Sequence, residues 1–497
     1  MHTRLVVILG SHLFDPVHLK GLEGSRVFMA EDLGLCTEIR HHQQKIVLFL
    51  SAMRSYRDVL LKRGFEVEYH ELAGPTGELT YEERLLDAVE RLGIQELVHF
   101  EIEDRPFAAR MAAFAESRGL RRRVLDSPMF LTRIREFEGF QGWRKRLHMA
   151  DFYRWQRERL SILVGPDGEP AGGRWSFDTE NRERLDDLTP IPGDPAHERT
   201  AHERDVIRLV EERFSGHPGR AAEFSWPTTH TGARAWLEHF IEHRLKLFGP
   251  YEDAISTRTE VAFHSRLTPM LNCGLLTPRE VVDRVLGHQD SAPIASLEGF
   301  IRQVIGWREF IRCVDATVGE VQHERNAFGH TRRLAPCWWD ATTGIPPLDD
   351  MIQTAIRRGW THHILRLMVA GNIMTLTGVA PREALRWFTE MYVDSAHWVM
   401  GPNVLGMGIC SDGGVFATKP YICGSNYILK MSDYKKGPWC DELDGLYWGF
   451  IERHRAALIR NPRMATVVRS LDRLGAERRE RILAAGERAR RRLTVAE

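Results

Sequence analysis

The chain lacks several features that would assign it to a simple class. It has 497 residues but no apolar run of eighteen, and its start has no leader pattern, so we expect a cytoplasmic protein without a membrane span. Its seven cysteines include no Cys-x-x-Cys pair, which argues against zinc ribbons and thioredoxin-type sites. The 68 basic residues balance 68 acidic ones, so any nucleic-acid contact requires a local basic surface.

The first part of the chain alternates between short strand and helix patterns. RLVVIL (4–9) is typical of a buried parallel strand, and HHQQKIVLFLSAMRSYRDVLLKRG (41–64) of an amphipathic helix. Further strand patterns occur at 27–30, 66–72, 96–102 and 122–128, and further helix patterns at 81–93 and 111–120. The sequence therefore predicts a doubly wound α/β domain over residues 1–135.

The rest of the chain reads as a linker followed by helices. Residues 165–200 are rich in Gly, Pro and Asp, which favours a surface linker, and we assign 136–240 to an interdomain segment with helices. Helical periodicity dominates from about residue 230, so 241–497 is predicted to be all-helical. The Arg-rich tail at 462–493 reads as a solvated mixed-charge helix; contact with phosphates is the alternative.

Two short motifs carry little weight. His239, Glu242 and His243 have the order of an inverted zinc-protease helix, but no third ligand is evident, and we expect no metal site. The glycines of GPNVLGMGICSDGG follow no clear strand, which argues against a dinucleotide-binding fingerprint.

Two segments of the helical region suit a phosphate-bearing, ring-containing ligand. In FHSRLTPMLNCGLL (263–276), Ser265 and Thr268 precede a helix expected to begin near Pro269, which favours either an anion site or an ordinary capped helix. In RQVIGWREFIR (302–312), Trp307 can stack on a ring or belong to the core.

Two further segments suit buried charge chemistry. In WTHHILRLMVAGN (360–372), His362 and His363 point about 100° apart on a helix, so one can face a pocket while the other packs. Asp394 is a carboxylate within an aromatic, apolar stretch, and a buried carboxylate needs a cation, for which Arg366 is the obvious partner. Trp339, Trp387 and Trp398 are either oxidisable rings or core residues.

Taken together, these segments resemble the cryptochrome/photolyase superfamily along nearly the full chain. The likeness is strongest to the prokaryotic photolyase-related branch, which includes bacterial (6-4) photolyases. The likeness rests on these sequence segments: HHQQKIVLFLSAMR, FHSRLTPMLNCGLL, IRQVIGWREF, HHILRLMVAGN, PNVLGM, SDGG and TKPYICGSNYILKMSDY.

The resemblance implies an antenna-type α/β domain and a helical domain that holds FAD. Arg366 and Asp394 match a salt bridge beside the flavin. The residues that it implies for cofactor binding are Phe263, His264, Ser265, Leu267, Trp307, Arg308, Arg366, Asn372, Asp394 and Asn403.

The resemblance also implies catalytic and electron-transfer residues. His362 and His363 match the histidine pair of (6-4) repair, one of which would protonate the lesion as a general acid. Tyr421 and Tyr427 match two tyrosines that line the lesion pocket. Trp387 matches the inner member of a photoreduction chain, and Trp338 or Trp339 an outer member.

Three departures from the branch change these expectations. Lys435 and Pro438 stand where cluster-binding cysteines are expected, and because an iron–sulfur cluster needs four thiolates, we predict none. Ser11 and His12 stand where the branch has the acidic residue that holds a ribityllumazine antenna. This departure argues against a bound ribityllumazine. Phe388 replaces an oxidisable tyrosine in the electron chain, which leaves detours through Tyr392 or Trp398 open.

The sequence thus favours a monomeric (6-4) photolyase that repairs UV-damaged DNA by transferring an electron from reduced FAD to a flipped-out lesion. A cryptochrome-like blue-light photoreceptor without repair activity is the alternative. The sequence leaves the choice between (6-4) and cyclobutane lesions open.

Overall fold

A computed structural model describes residues 3–142, 144 and 146–496. Residues 1, 2 and 497, at the ends of the predicted spans, lie outside the described part. Among the described residues, none of the helices combines the length and apolarity needed to cross a bilayer.

The N-terminal part is built around a five-stranded parallel sheet with strand order β3-β2-β1-β4-β5. Val6 pairs with Val27 on one side and Leu5 with Leu97 on the other, so the first strand is central. The strands are β1 (Arg4–Val7), β2 (Arg26–Ala30), β3 (Glu66–His70), β4 (Glu96–Phe100) and β5 (Arg121–Leu125). The strand order reverses between β1 and β4, which confirms the doubly wound fold.

Helices cover the sheet and continue beyond it. The third helix begins with a capping box between Thr80 and Glu83 and ends at Gly93, whose φ is 64°. The helices up to residue 243 are α1 (Leu33–Thr37), α2 (Gln43–Lys62), α3 (Tyr81–Leu92), α4 (Arg105–Ser117), α5 (Ile134–Gln141), α6 (Met149–Leu160), α7 (Ala201–Arg213) and α8 (His230–His243). The stretch 161–200 contains two short 3₁₀ turns, 171–173 and 178–180.

The remaining chain is mostly helical, as the sequence predicted. Its helices are α9 (Leu245–Phe248), α10 (Thr268–Cys273), α11 (Pro278–Leu286), α12 (Ile294–Ile301), α13 (Glu309–Glu324), α14 (Cys337–Asp340), α15 (Pro346–Arg358), α16 (Asn372–Thr377), α17 (Pro381–Met391), α18 (His397–Met400), α19 (Ser425–Met431), α20 (Pro438–Arg453), α21 (Arg455–Leu458), α22 (Pro462–Leu471) and α23 (Ala476–Leu493). Three π-helical segments, 302–308, 365–371 and 401–408, interrupt this pattern.

The expectation that strands are absent after residue 230 was wrong at one place. β6 (Arg333–Leu334) pairs antiparallel with β7 (Thr494–Val495), which brings the chain end back to the helical core. Two-residue strands leave no alternating pattern in a sequence, so only the folded chain reveals them.

The Arg-rich tail packs against the domain. α23 crosses α20 at a glycine contact, where a Cβ on Gly445 would lie 1.8 Å from the Ile482 carbonyl oxygen. Its arginines pair with acidic residues, as in Arg481–Asp441 and Arg492–Glu442. These pairs support the mixed-charge interpretation of the tail over phosphate contact.

Candidate functional site

The segment 263–267 is a strained loop that leads into α10. Ala262 and Arg266 have positive φ values of 48° and 56°, which non-glycine residues adopt at an energetic cost. Phe263 stacks on Tyr251 with ring centres 5.5 Å apart, and Leu267 is buried. The helix begins at Thr268, as expected, but the residue before it, Leu267, makes no side-chain cap, so no hydroxyl cap forms there.

A buried guanidinium lies beside this loop. Arg266 lies over the rings of Trp226 and Trp236, at 4.5 and 5.0 Å. Asp194, from the Pro-rich linker, forms ion pairs with Arg266, Arg244 and Arg358. Burial raises the pKa of Asp194, but the three arginines outweigh this effect and lower it to about 2. The loop therefore has more positive than negative groups around it.

A second cationic group comes from the first π-helical segment. The Arg308 Nη1 donates to the Asn272 Oδ1 at 2.7 Å, and Asn272 Nδ2 donates to the Asp394 carbonyl at 2.8 Å. Burial lowers the pKa of Arg308 to about 10. Trp307, its neighbour, is half-buried and has its ring 6.4 Å from that of Phe310, so its contact here is to the core.

The predicted pair of Arg366 and Asp394 is formed. Two parallel hydrogen bonds of 2.9 and 3.0 Å join the guanidinium to the carboxylate. The same guanidinium lies 3.9 Å from the centre of the Tyr392 ring, whose hydroxyl bonds to Thr361 at 3.0 Å. A bidentate pair against an aromatic face fixes both side chains.

Three imidazoles cluster next to this pair. His264 stacks on His362 with ring centres 4.9 Å apart, and His363 meets His264 edge-on at 5.6 Å. The His363 Nε2 lies 3.2 Å from the Asp253 Oδ1. The sequence placed His264 with the phosphate segment and the other two in the lesion pocket, and the fold brings all three together.

The surroundings shift the pKa values of the three imidazoles in different directions. Burial lowers the pKa of His362 to about 3, and burial and the neighbouring imidazoles lower that of His264 well below its ordinary range. The side chain of His363 is 47% exposed. Desolvation by neighbouring protein atoms lowers its pKa, but the hydrogen bond and charge of Asp253 outweigh this effect and raise the pKa above its ordinary value.

The same three imidazoles also satisfy the spacing of a metal site. Their ring nitrogens lie within 4.8 Å of one another. A protonated His363 would repel a bound metal cation. The raised pKa of His363 therefore favours protonation of this imidazole over metal binding. Among the described residues, His239 and His243 belong to no three-ligand group of this spacing.

Of the predicted pocket tyrosines and asparagines, Tyr427 is the one linked to this cluster by its electrostatic surroundings. Burial and the charge of Asp253 raise the pKa of Tyr427, which places it within electrostatic range of the His363 pair. Burial raises the pKa of Tyr421. Asn372 exchanges two hydrogen bonds with the Cys423 backbone, and Asn403 donates to the Val399 carbonyl, so both anchor neighbouring segments.

The tryptophans proposed for electron transfer differ in their surroundings. Trp338 and Trp387 are fully buried with ring centres 5.6 Å apart. Trp339 is half-buried and donates its N–H to Glu390 at 3.2 Å. Tyr392 has its ring 6.0 Å from Trp387, whereas Trp398 packs on Phe130. Of the two detours left open by the sequence, Tyr392 is the one in contact with Trp387.

The donor set fits a large polar cofactor with phosphates. Several buried nitrogens have no hydrogen-bond partner among the described residues: His264 Nε2, His362 Nδ1, Arg244 Nε, Arg266 Nε and Arg308 Nε. Buried donors without acceptors cost about 1–3 kcal/mol each. Two cavities, of about 280 and 200 Å³, lie elsewhere, lined by Gly449 and by Ser127 among others.

Sequence reasoning missed two acidic residues of this site. Asp253 lies within hydrogen-bond distance of His363, and Asp194 interacts with three arginines. Neither lies in a recognisable motif, because each acts through a partner many residues away in the chain. The π-helical segments, which carry Arg308, Arg366 and Asn403, were also unforeseen, although such distortions are frequent at functional sites.

Comparison with known families gives two matches. Residues 6–226 match the family described as deoxyribodipyrimidine photo-lyase-related protein. Residues 300–436 match the FAD-binding domain of DNA photolyase. The second match contains most of the helical site residues.

Individual relatives cover between a third and nearly all of the chain. A (6-4) photolyase from Agrobacterium fabrum is 32% identical over 93% of this chain and 94% of its own length. A deoxyribodipyrimidine photo-lyase from Escherichia coli is 26% identical over 34% of this chain and 37% of its own. The crystal structure of a bacterial class III photolyase from Agrobacterium tumefaciens shares the fold, with a TM-score of 0.59, 17% identity and 98% coverage of both chains. The chain therefore belongs to the photolyase/cryptochrome superfamily, with its photolyase-related α/β domain and helical FAD-binding domain.

Proposed function

We propose that this protein is a light-driven DNA repair enzyme that acts on (6-4) photoproducts. The observation that carries the proposal is the pairing of His363 with Asp253 beside two neutral imidazoles. A protonated imidazole next to neutral ones is suited to deliver one proton near neutral pH. The 32% identical relative, which is a (6-4) photolyase, supports the same lesion class.

FAD binding is assigned to the loop and helices around Arg266, Arg308 and Arg366. The unpartnered nitrogens of Arg244 and Arg266 suit the pyrophosphate, together with the backbone of Phe263, Ser265 and Leu267. Trp307, Arg308, Asn372 and Asn403 remain proposed cofactor contacts. When bound and reduced, FAD supplies the light-excited electron donor.

The chain's own residues then orient the lesion and move the proton. His363 donates a proton to the lesion and is protonated again when the repair is complete. The hydrogen bond with Asp253 keeps the His363 ring in position. His362 and His264 remain neutral and accept hydrogen bonds, while Tyr421 and Tyr427 line the pocket. A damaged base pair is weak, which lowers the free energy of flipping the lesion into this pocket.

Other predictions remain part of the proposal. We divide the chain into 1–135, 136–240 and 241–497, and expect a monomer that binds UV-damaged DNA. Lys435 precedes α20, and Pro438 is the first residue of that helix. Neither side chain supplies a thiolate, and we predict that no iron–sulfur cluster is bound. Stoichiometric iron and sulfide in the purified protein would contradict this. A ribityllumazine antenna is not expected to bind tightly at Ser11 and His12.

The test uses reduced, FAD-loaded protein and two oligonucleotides, one with a (6-4) photoproduct and one with a cyclobutane dimer. Under blue light, we expect restoration of the first only. His363→Ala should abolish repair and retain FAD, while His239→Ala, at a half-buried position on α8, should repair normally. Repair of the cyclobutane dimer alone would refute the lesion assignment.

A photoreceptor without repair activity is the second candidate. It is favoured by Phe388, which packs on Tyr392 where the branch has an oxidisable ring. FAD-loaded protein that photoreduces but repairs neither lesion would support this candidate.

A further inference from the structure

The three tryptophans of the proposed electron route donate their indole N–H groups to different acceptors. Trp387 donates to the Trp338 carbonyl at 2.9 Å, and Trp338 to the Leu493 carbonyl at 3.0 Å. Trp339 instead donates to a carboxylate, the Oε2 of Glu390, at 3.2 Å. A peptide carbonyl is too weak a base to take a proton from an indole, but a carboxylate can take one from an oxidised indole.

The carboxyl group of Glu390 lies beneath the protein surface. Its side chain is 3% exposed and forms ion pairs with Arg40 at 3.2 Å and Arg386 at 3.6 Å. Arg40 comes from the segment before α2, whereas Glu390 and Arg386 lie on α17, so the N-terminal part helps to fix the carboxylate. A buried carboxylate between two guanidinium groups keeps its position relative to the indole.

One neighbour of Trp339, the Arg386 guanidinium, opposes a positive charge on its ring. The Arg386 guanidinium carbon lies 5.4 Å from the ring centre. A radical cation formed on this ring would be repelled by that guanidinium, and loss of the N–H proton would remove the repulsion. We propose that Glu390 is the proton acceptor of Trp339 when Trp339 is oxidised by one electron. This inference rests on the electron route of the proposed function.

The step balances as follows. Trp339 loses one electron, by way of the neighbouring Trp338 and then Trp387, to a light-excited flavin in its oxidised state, which gains that electron. Its N–H bond breaks, and the proton forms an O–H bond on Glu390, leaving a neutral indole radical. A small thiolate in solution later returns one electron and becomes a thiyl radical, while Glu390 returns the proton. Trp339 is half-buried, so such a reductant can approach it.

The neutral radical also slows the return of the electron. Recombination of the separated charges must recover both the electron and the proton, whereas a radical cation needs the electron alone. Glu390 thereby acts on the lifetime of the oxidised tryptophan and leaves cofactor binding unchanged.

The experiment follows tryptophan radicals by transient absorption after a flash, in FAD-loaded protein and in Glu390→Gln. Gln can still accept the hydrogen bond but cannot take the proton. In the wild type we expect the neutral radical. In Glu390→Gln we expect the radical cation to persist and proton loss to slow by about 100-fold, the scale of general-base catalysis.

Glu383→Gln is the matched control. Glu383 lies on the same helix and pairs with the same Arg386, at 3.1 Å. This variant should form the neutral radical at the wild-type rate. FAD content and circular dichroism check that both variants fold.

Two outcomes would overturn the inference. Proton loss at the wild-type rate in Glu390→Gln removes the role of Glu390 but leaves the electron route intact. No tryptophan radical in the wild type removes both. A measurement on the wild type alone guards against a poorly folded variant: proton loss to an internal base is independent of buffer concentration, and a rate proportional to buffer base would overturn the assignment.

Discussion

Arg366 donates two hydrogen bonds to the carboxylate of Asp394, and the same guanidinium lies over the Tyr392 ring. The carboxylate is 5% exposed, so the pair is almost removed from water. Pairs of this kind are strongly destabilised when one partner is removed, because the other charge is left buried.

Asp394→Asn is therefore expected to weaken FAD retention and lower the free energy of unfolding by about 3 kcal/mol. FAD content after gel filtration and urea unfolding measure the two effects. The control is Asp472→Asn, which removes an equally bidentate but exposed pair with Arg455 and should change little. Full FAD retention in Asp394→Asn would show that the pair does not support the cofactor.

Repair should depend on pH through His363. Because its pKa is raised, the protonated form exists below that raised value, and repair should fall by about tenfold per unit as pH rises through it. Asp253→Asn removes the charge that raises the pKa, so the decline should begin at lower pH. Repair rates from pH 5 to 9 measure this.

Asp433→Asn is the control for this pH dependence. Asp433 accepts hydrogen bonds from Ser256 and Thr257 and does not contact His363. Its pH profile should match the wild type. A profile of Asp253→Asn that also matches the wild type would exclude His363 as the acid.

Acid should destabilise the fold through His12. This side chain is fully buried, its ring nitrogens have no partner among the described residues, and burial lowers its pKa to about 3. Between pH 3 and 6.5 the unfolded chain binds the extra proton, so stability from this group is complete above 6.5 and falls as pH falls. At pH 5 the loss is about 2 kcal/mol.

His12→Leu should therefore lose about 2 kcal/mol less than the wild type between pH 7.5 and 5, as measured by urea unfolding. His243→Leu, at an exposed position on α8, should retain the wild-type pH dependence. An unchanged acid loss in His12→Leu would place the sensitivity at other groups.

Gly445→Ala should loosen the C-terminal helix. A Cβ at this position would meet the Ile482 carbonyl oxygen at 1.8 Å, so α20 and α23 must separate, at a cost of more than about 2 kcal/mol. Thermal unfolding and proteolysis after α22 measure the change. Gly475→Ala, where an added Cβ meets nothing within 4 Å, is the control.

Much of the architecture followed from local patterns. The five strands of the sheet and helices α2 and α3 lie within one to three residues of their predicted bounds, because alternation and helical periodicity depend on neighbours in the chain. The pair of β6 and β7 was missed because its partners lie far apart and each strand has two residues.

The candidate site was predictable in part. The pairing of Arg366 with Asp394 followed from a carboxylate in an aromatic, apolar stretch, and the adjacent histidines indicated a pocket. Asp253 and Glu390 were not foreseen, because their roles depend on contacts with His363 and Trp339 that no spacing in the sequence encodes.

By itself the sequence determined the order of strands and helices, the division into α/β and helical parts, and the words that mark the superfamily. These depend on residue type and on spacing along the chain. The tertiary structure decided which imidazole is favoured as the cation and which indole faces a base. Those properties arise from burial and from charges that the fold brings together from distant parts of the chain. The low dielectric of the protein interior strengthens the electrostatic effect of each neighbouring group.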